Sequence, residues 1–155
     1  MSSIAKKLVV FTISCLLLGC ASQIAYVPKT NAGGEEGQVV LAQLLREAES
    51  GQAPLQEVQV TKDYFKCTYV ETRTTKFLFV NKGITTVPYS TFVYFNNIGR
   101  IALYKKGSSW IVLLVDKGNA ELFQLQIYQE SKAKAFIDAI VSLSGLDPAT
   151  VSEKW

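Results

Sequence analysis

Three cysteines and a complete lack of histidine set the limits on what this chain can do chemically. Cys15 and Cys20 lie within and just after an apolar N-terminal run, and Cys67 stands alone in an alternating segment. A thiol can take an acyl or alkyl group, pair with another thiol, or attack as a thiolate when a neighbouring cation lowers its pKa. Without histidine, Ser-His-Asp and Cys-His nucleophiles and histidine-based zinc sites are excluded. The chain has no CxxC pair, P-loop or dinucleotide fingerprint. Acid–base catalysis would have to rest on lysines or on carboxylates such as Asp63, Glu71 and Asp116, whose spacing in space the sequence does not set.

The N-terminus carries the most specific pattern. Lys6 and Lys7 precede Leu8 to Leu18, a mostly apolar run of eleven residues. A membrane-spanning helix needs about 20 apolar residues, so this run fits the core of a secretory signal peptide instead. Leu17-Leu18-Gly19-Cys20 follows and resembles the lipobox of bacterial lipoproteins. That resemblance implies a signal peptide over residues 1–19, cleavage after Gly19, and diacylglycerol on the Cys20 sulfur. The freed amine of Cys20 is then open to a further acyl chain, and no other cofactor is called for. Each buried methylene contributes roughly 0.8 kcal/mol, so two or three chains hold a protein on a membrane without a spanning helix. In lipoproteins of Gram-negative cells an aspartate after the cysteine favours the inner membrane; here Ala21 and Ser22 follow. The resemblance therefore implies an outer-membrane anchor facing the periplasm in a Gram-negative source. An ordinary signal peptide with an incidental cysteine is the plainer alternative.

Loss of the leader changes the charge. The full chain has 16 basic and 13 acidic residues; without Lys6 and Lys7 the balance is 14 against 13, a net of +1. Such a balance gives no reason to expect nucleic acid as a partner. Cys67 becomes the one free thiol, and an intramolecular disulfide is impossible once Cys20 carries lipid. Residues 20–155 suffice for one modest domain with its own core.

The elements that must position these groups follow from periodicity. Residues 20–37, with Pro28, Gly33, Gly34 and Gly37, read as the lipidated cysteine and a flexible tether, leaving 38–155 as a single domain. Gln38 to Ser50 spaces Val40, Leu41, Leu44 and Leu45 along one helical face and stops at Gly51. From Val58 the period becomes two: Val58–Val60, Tyr64–Val70, Phe77–Val80, Ile84–Phe95, Ile98–Lys105, Trp110–Val115 and Ala120–Tyr128 read as strands. Asn81-Lys82-Gly83, Asn96-Asn97, Gly107-Ser108-Ser109 and Lys117-Gly118-Asn119 supply the turns. Pro88 makes its segment an edge strand or a bent connection, because proline cannot donate to a ladder. Ser131 to Ser144 is an amphipathic helix with Ala133, Phe136, Ile137, Ile140 and Leu143 on its apolar face, Ser131 as N-cap and Gly145 as stop.

The predicted class is α+β: an antiparallel meander, bent or closed into a partly open barrel, covered by a C-terminal amphipathic helix and preceded by a short N-terminal one. Over about 58–144 the order of strands, the Thr86-Val87-Pro88-Tyr89-Ser90 segment, two late hairpins and the closing helix resemble a pleckstrin-homology-like or GRAM-like domain. A lipocalin-like small barrel or another α+β fold is the alternative. In lipid-binding members of that family, basic residues around the first hairpin hold phosphates, which points to Lys62, Lys66, Arg73 and Lys76 as anion or headgroup contacts. This chain departs from the pattern: the close basic cluster is absent and Glu71 sits in its midst, so a solvated rim is the plainer reading. Lys105-Lys106 reads as a solubilising turn, and Cys67, sharing a face with Phe65 and Tyr69, as core. Tyr89, Phe92 and Tyr94, beside Phe95, mark a candidate partner groove where a peptide strand could add. The expectation is a non-catalytic, membrane-anchored interaction module with an envelope protein as partner; binding of a lipid or small amphiphile is the second reading.

Overall fold

The computed structural model describes residues 22–29, 34–48, 55–77 and 80–151, with side chains at all of these except 73–85. The signal peptide, Gly19 and Cys20, and the side chains of Arg73 and Lys76 therefore lie outside the described residues. Within them the chain is α+β, with strands β1 (Ser22–Gln23), β2 (Leu55–Val60), β3 (Tyr64–Phe77), β4 (Val80–Tyr94), β5 (Ile98–Lys106), β6 (Ser109–Asp116) and β7 (Glu121–Ile127), and helices α1 (Glu35–Glu47) and α2 (Glu130–Ser144). All named strand pairs are antiparallel and form two sheets, ordered β1-β5-β6-β7 and β2-β3-β4, with no closed barrel. Among the described residues no helix is long and apolar enough to cross a membrane.

The 3.6-residue spacing of α2 lines Ala133, Phe136, Ile137, Ile140 and Val141 along one stripe, and all five are buried. Burying a large apolar side chain contributes about 1.5–3 kcal/mol, so this stripe is a main source of stability. Alternation does the same for β7, whose Phe123, Leu125 and Ile127 face inward. The two sheets meet through Phe65 of β3, packed edge-on against Phe123 with ring centroids 5.1 Å apart. Leu41, Leu44 and Leu45 bring α1 into the same core.

Several expected boundaries move. Helix α1 begins at Glu35, where Glu36 and Glu35 complement the positive end of the helix, and it ends at Glu47, well before Gly51. Helix α2 starts one residue early; Gln129 is its N-cap and Ser131 already lies in the first turn. Gly145 closes it in the left-handed conformation (φ 65°), its N–H donating to the Val141 carbonyl at 3.1 Å.

The largest correction concerns the first hairpin. Phe77–Val80 is not a separate strand and Asn81-Lys82-Gly83 is not a turn: Phe77 pairs with Val80 and Lys76 with Asn81, so both segments belong to one long hairpin. The register set at its base, with Tyr64 opposite Tyr94 and buried Phe65 opposite buried Val93, runs unbroken to Thr74, and a one-residue shift there brings Phe77 opposite Val80. A local turn signal cannot override that without turning the buried face outward.

The segment read as a flexible tether is also corrected in part. Ser22–Gln23 pairs with β5, the Ile24 N–H donates to the Leu103 carbonyl at 2.8 Å, and Pro28 is buried. The Tyr26 hydroxyl donates to Asp138 of α2 (2.8 Å to Oδ1), as does the Lys29 N–H (2.8 Å). Burial and the Asp138 carboxylate push the Tyr26 phenol far above its ordinary pKa. This arm is bound to the domain, and Lys134 Nζ lies 5.3 Å from the centroid of the Tyr26 ring.

Candidate functional site

The β3–β4 hairpin presents a group of exposed aromatic side chains beside a sheet edge. β2 covers β3 only as far as Tyr69, opposite Leu55. Beyond that point, from Val70 opposite Pro88 to Phe77 opposite Val80, the two strands have only each other as ladder partners among the described residues. Thr86 to Ser90 are all exposed. In the order β2-β3-β4, strand β4 is an edge.

The phase of the ladder says which groups that edge offers. The Phe95 N–H donates to the Asp63 carbonyl at 2.9 Å. Hydrogen-bonded and non-hydrogen-bonded pairs alternate in an antiparallel hairpin, so the odd-numbered residues of β4 bond to β3 and the even-numbered ones turn their backbone groups to the outer edge. Pro88, opposite Val70, falls at an outward position, which explains how proline is accommodated without breaking the register. Ser90 and Phe92 then direct N–H and C=O groups outward, whereas the carbonyl of Tyr94, N-cap of the 3-10 turn Phe95–Asn97, is taken up by that turn.

Side chains alternate across the sheet. Phe65, Cys67 and Tyr69 of β3 and Val93 of β4 face the core. Tyr89 belongs to this inner face, stacked on Tyr69 with centroids 5.3 Å apart, though it remains 39 % exposed at the rim. Phe92 and Tyr94 point to the other face, where they are 48 % and 47 % exposed. The expected groove of Tyr89, Phe92 and Tyr94 is thus split: the sheet lies between the first and the other two. Phe92 and Tyr94 instead gather around Tyr64 of β3, at centroid distances of 5.8 and 5.5 Å. Tyr64 was hidden in the sequence, because only the cross-strand register brings it there.

A polar strip borders this trio. Lys66 Nζ is 3.2 Å from Glu57 Oε2 and 5.9 Å from the Phe92 centroid, while the Thr68 and Ser90 hydroxyls are 3.0 Å apart. Lys66 is thus partnered by a carboxylate. Lys62 is exposed in the β2–β3 turn. Arg73 lies seven residues beyond Lys66 along β3, roughly 23 Å at strand rise, and Lys76 further still. The backbone positions of the four basic residues are thus spread along the hairpin.

The remaining candidates fall apart as a site. Asp116 Oδ1 accepts the Gly118 and Ala120 N–H groups at 2.8 and 2.7 Å and so shapes the β6–β7 turn. Asp63 is in the β2–β3 turn and Glu71 in the ribbon. Among the described residues no three Cys, Asp or Glu side chains are grouped to hold a metal ion. Cys67 is buried, and burial pushes its thiol up to about 11, which keeps it protonated at neutral pH. On geometry the surface is a free strand edge flanked by an aromatic face. No protein-family model, curated protein or solved structure matches this chain.

Proposed function

We propose that this chain is a lipid-anchored, non-catalytic interaction module of a bacterial cell envelope, which takes an extended segment of a partner protein onto the β4 edge. The observation that carries this reading is the outward backbone of Ser90 and Phe92 lying beside the aromatic trio of half-buried Tyr64 and exposed Phe92 and Tyr94. Main-chain pairing would supply affinity, and the aromatic face would choose the side chains of the incoming strand. An edge of this length left bare invites unspecific pairing, and a two-stranded ribbon is marginal by itself, so a partner stabilises both. Anchoring through Cys20, on the outer membrane facing the periplasm in a Gram-negative source, follows from the lipobox resemblance. The strand order and closing helix support, as a finer reading, a pleckstrin-homology-like domain.

Binding of a lipid or small amphiphile stands second. The pocket between α1 and α2, lined by Leu44, Glu47, Ile127 and Lys132, measures about 130 Å³, while the wider grooves between α1 and β2, lined by Val39, Arg46, Val58 and Val60 among others, measure about 440 and 560 Å³ and are the surfaces this second reading would use.

A photo-crosslinking residue at position 92 tests the proposal in living bacteria, with position 117 in the β6–β7 turn as control. One discrete protein adduct from 92, absent from 117 and outcompeted when Tyr94→Lys is introduced into an unlabelled copy less well than by the parent, supports it. Adducts from both positions alike, or a defined lipid recovered with no protein, would overturn it.

A further inference from the structure

The course of the N-terminal arm fixes more than its own position. Ser22 pairs with Lys105 and Gln23 with Tyr104, and the arm then runs back along β5 towards Leu103 and on to Asp138 of α2. The chain therefore enters the domain beside the β5–β6 turn. Lys105, Lys106, Gly107 and Ser108 are all exposed there, and the turn contains no carboxylate. The Ser109 hydroxyl donates to the Lys106 carbonyl at 2.9 Å, and Lys105 Nζ lies 5.2 Å from the centroid of the buried Trp110 ring, so the turn is braced. The β6–β7 turn at Lys117 lies at the opposite end of the same sheet, about 26 Å away along β6.

Cys20 is two residues before Ser22, which covalent geometry limits to roughly 7 Å. The headgroup layer on each side of a bilayer's hydrocarbon is itself about 5–8 Å thick. A lipid on Cys20 would bring the β5–β6 end down to the surface, with no room for a long spacer. Resting on the anchor reading above, we propose that this end, with Lys105 and Lys106, sits on the phosphate layer of the bilayer, and that the β1–β5 pairing sets the orientation of the whole domain. The two ammonium groups meet lipid phosphates, while the β6–β7 turn points away from the membrane.

The test uses full-length protein processed in bacteria, purified from membranes and reconstituted into phosphatidylethanolamine–phosphatidylglycerol vesicles containing a headgroup nitroxide lipid. A fluorophore is attached to Ser108→Cys or to Lys117→Cys, the buried Cys67 being inaccessible to label. Quenching severalfold stronger at 108 than at 117 is expected, and Ile24→Pro, which removes the donor to Leu103, should abolish the contrast while the protein stays on the vesicles. Equal quenching at both positions with Cys20 acylated by mass spectrometry overturns the orientation and leaves the anchor standing. A contrast that survives Ile24→Pro overturns the role of the arm. A Cys20 found without acyl groups overturns the anchor itself, and the orientation falls with it.

Discussion

The two sheets differ both in the residues that build them and in how they are finished. In the four-stranded sheet, β1 and Ile24 pair with the Leu103–Lys105 end of β5, β7 is the other edge strand, and helix α2 lies on the core that β5, β6 and β7 face. In the three-stranded sheet, β2 protects one side of β3, but β4 keeps a free edge and the outer face keeps its aromatics in solvent. The four-stranded sheet is rich in leucine and isoleucine and has no threonine in its strands, whereas the strands of the three-stranded sheet carry seven threonines and four tyrosines. Cover differs along with composition. The first sheet is where folding free energy is concentrated, and the second has surface available for a partner.

The sharpest way to break this comparison is to remove the same ring from each side of it. Phe136→Ala, at a fully buried position of α2, should cost about 3–5 kcal/mol in denaturant unfolding. Phe92→Ala, on the open face, should stay within roughly 0.5–1 kcal/mol. Equal losses would show that the open face belongs to the core.

Next in size is Gly99→Ala. Gly99 sits at the bulge between β5 and β6, where an added Cβ would come within 2.7 Å of the Asp116 carbonyl oxygen. Backbone must move, and a loss of about 1–3 kcal/mol in thermal or chemical unfolding is expected. No loss would mean that the four-stranded sheet is looser than its packing indicates.

Alkaline pH probes the line between the sheets. Cys67 has its pKa raised from 9.0 to about 11 by burial, so the folded state holds its proton where the unfolded state releases it. Its contribution is complete below pH 9 and is lost as pH rises through 11, at most about 3 kcal/mol. The raised phenols of Tyr69 and Tyr26 act in the same direction from pH 10 upward. Unfolding midpoints measured from pH 8 to 11 should fall, and Cys67→Ala should flatten the lower part of that fall. A curve identical in the variant would remove Cys67 from the account.

The smallest effect belongs to the open face again. Glu57→Gln breaks an ion pair whose carboxylate is more than half exposed, and such pairs contribute about 0.2–1 kcal/mol. A small decrease that vanishes in high salt is expected; a large one would indicate a buried network.

Much of the fold was legible because local periodicity and burial agree. Alternation located Phe123, Leu125 and Ile127, and the helical stripe located Ala133, Phe136, Ile137 and Ile140. Pro88 announced an edge strand, since an amide without hydrogen is tolerated only where no neighbour needs it. Cys67 between Phe65 and Tyr69 announced core. The site was less legible. Tyr89, Phe92 and Tyr94 were noticed as a group, but parity along β4 divides them, and Tyr64 joins only through a pairing thirty residues away in the chain. Asn81-Lys82-Gly83 misled for the same reason: a turn signal is local, whereas the cross-strand register carries the pairing on to Phe77 and Val80.

By itself the sequence determined the α+β composition, the positions of the main strands and helices, and which faces had to be covered, because these depend on residue spacing and solvation along the chain. Only the tertiary structure decided that residues 22–29 are bound as an arm, that β4 is left bare, and that Tyr64, Phe92 and Tyr94 meet. Those outcomes depend on which strand pairs with which, and pairing is settled by packing between residues far apart in sequence.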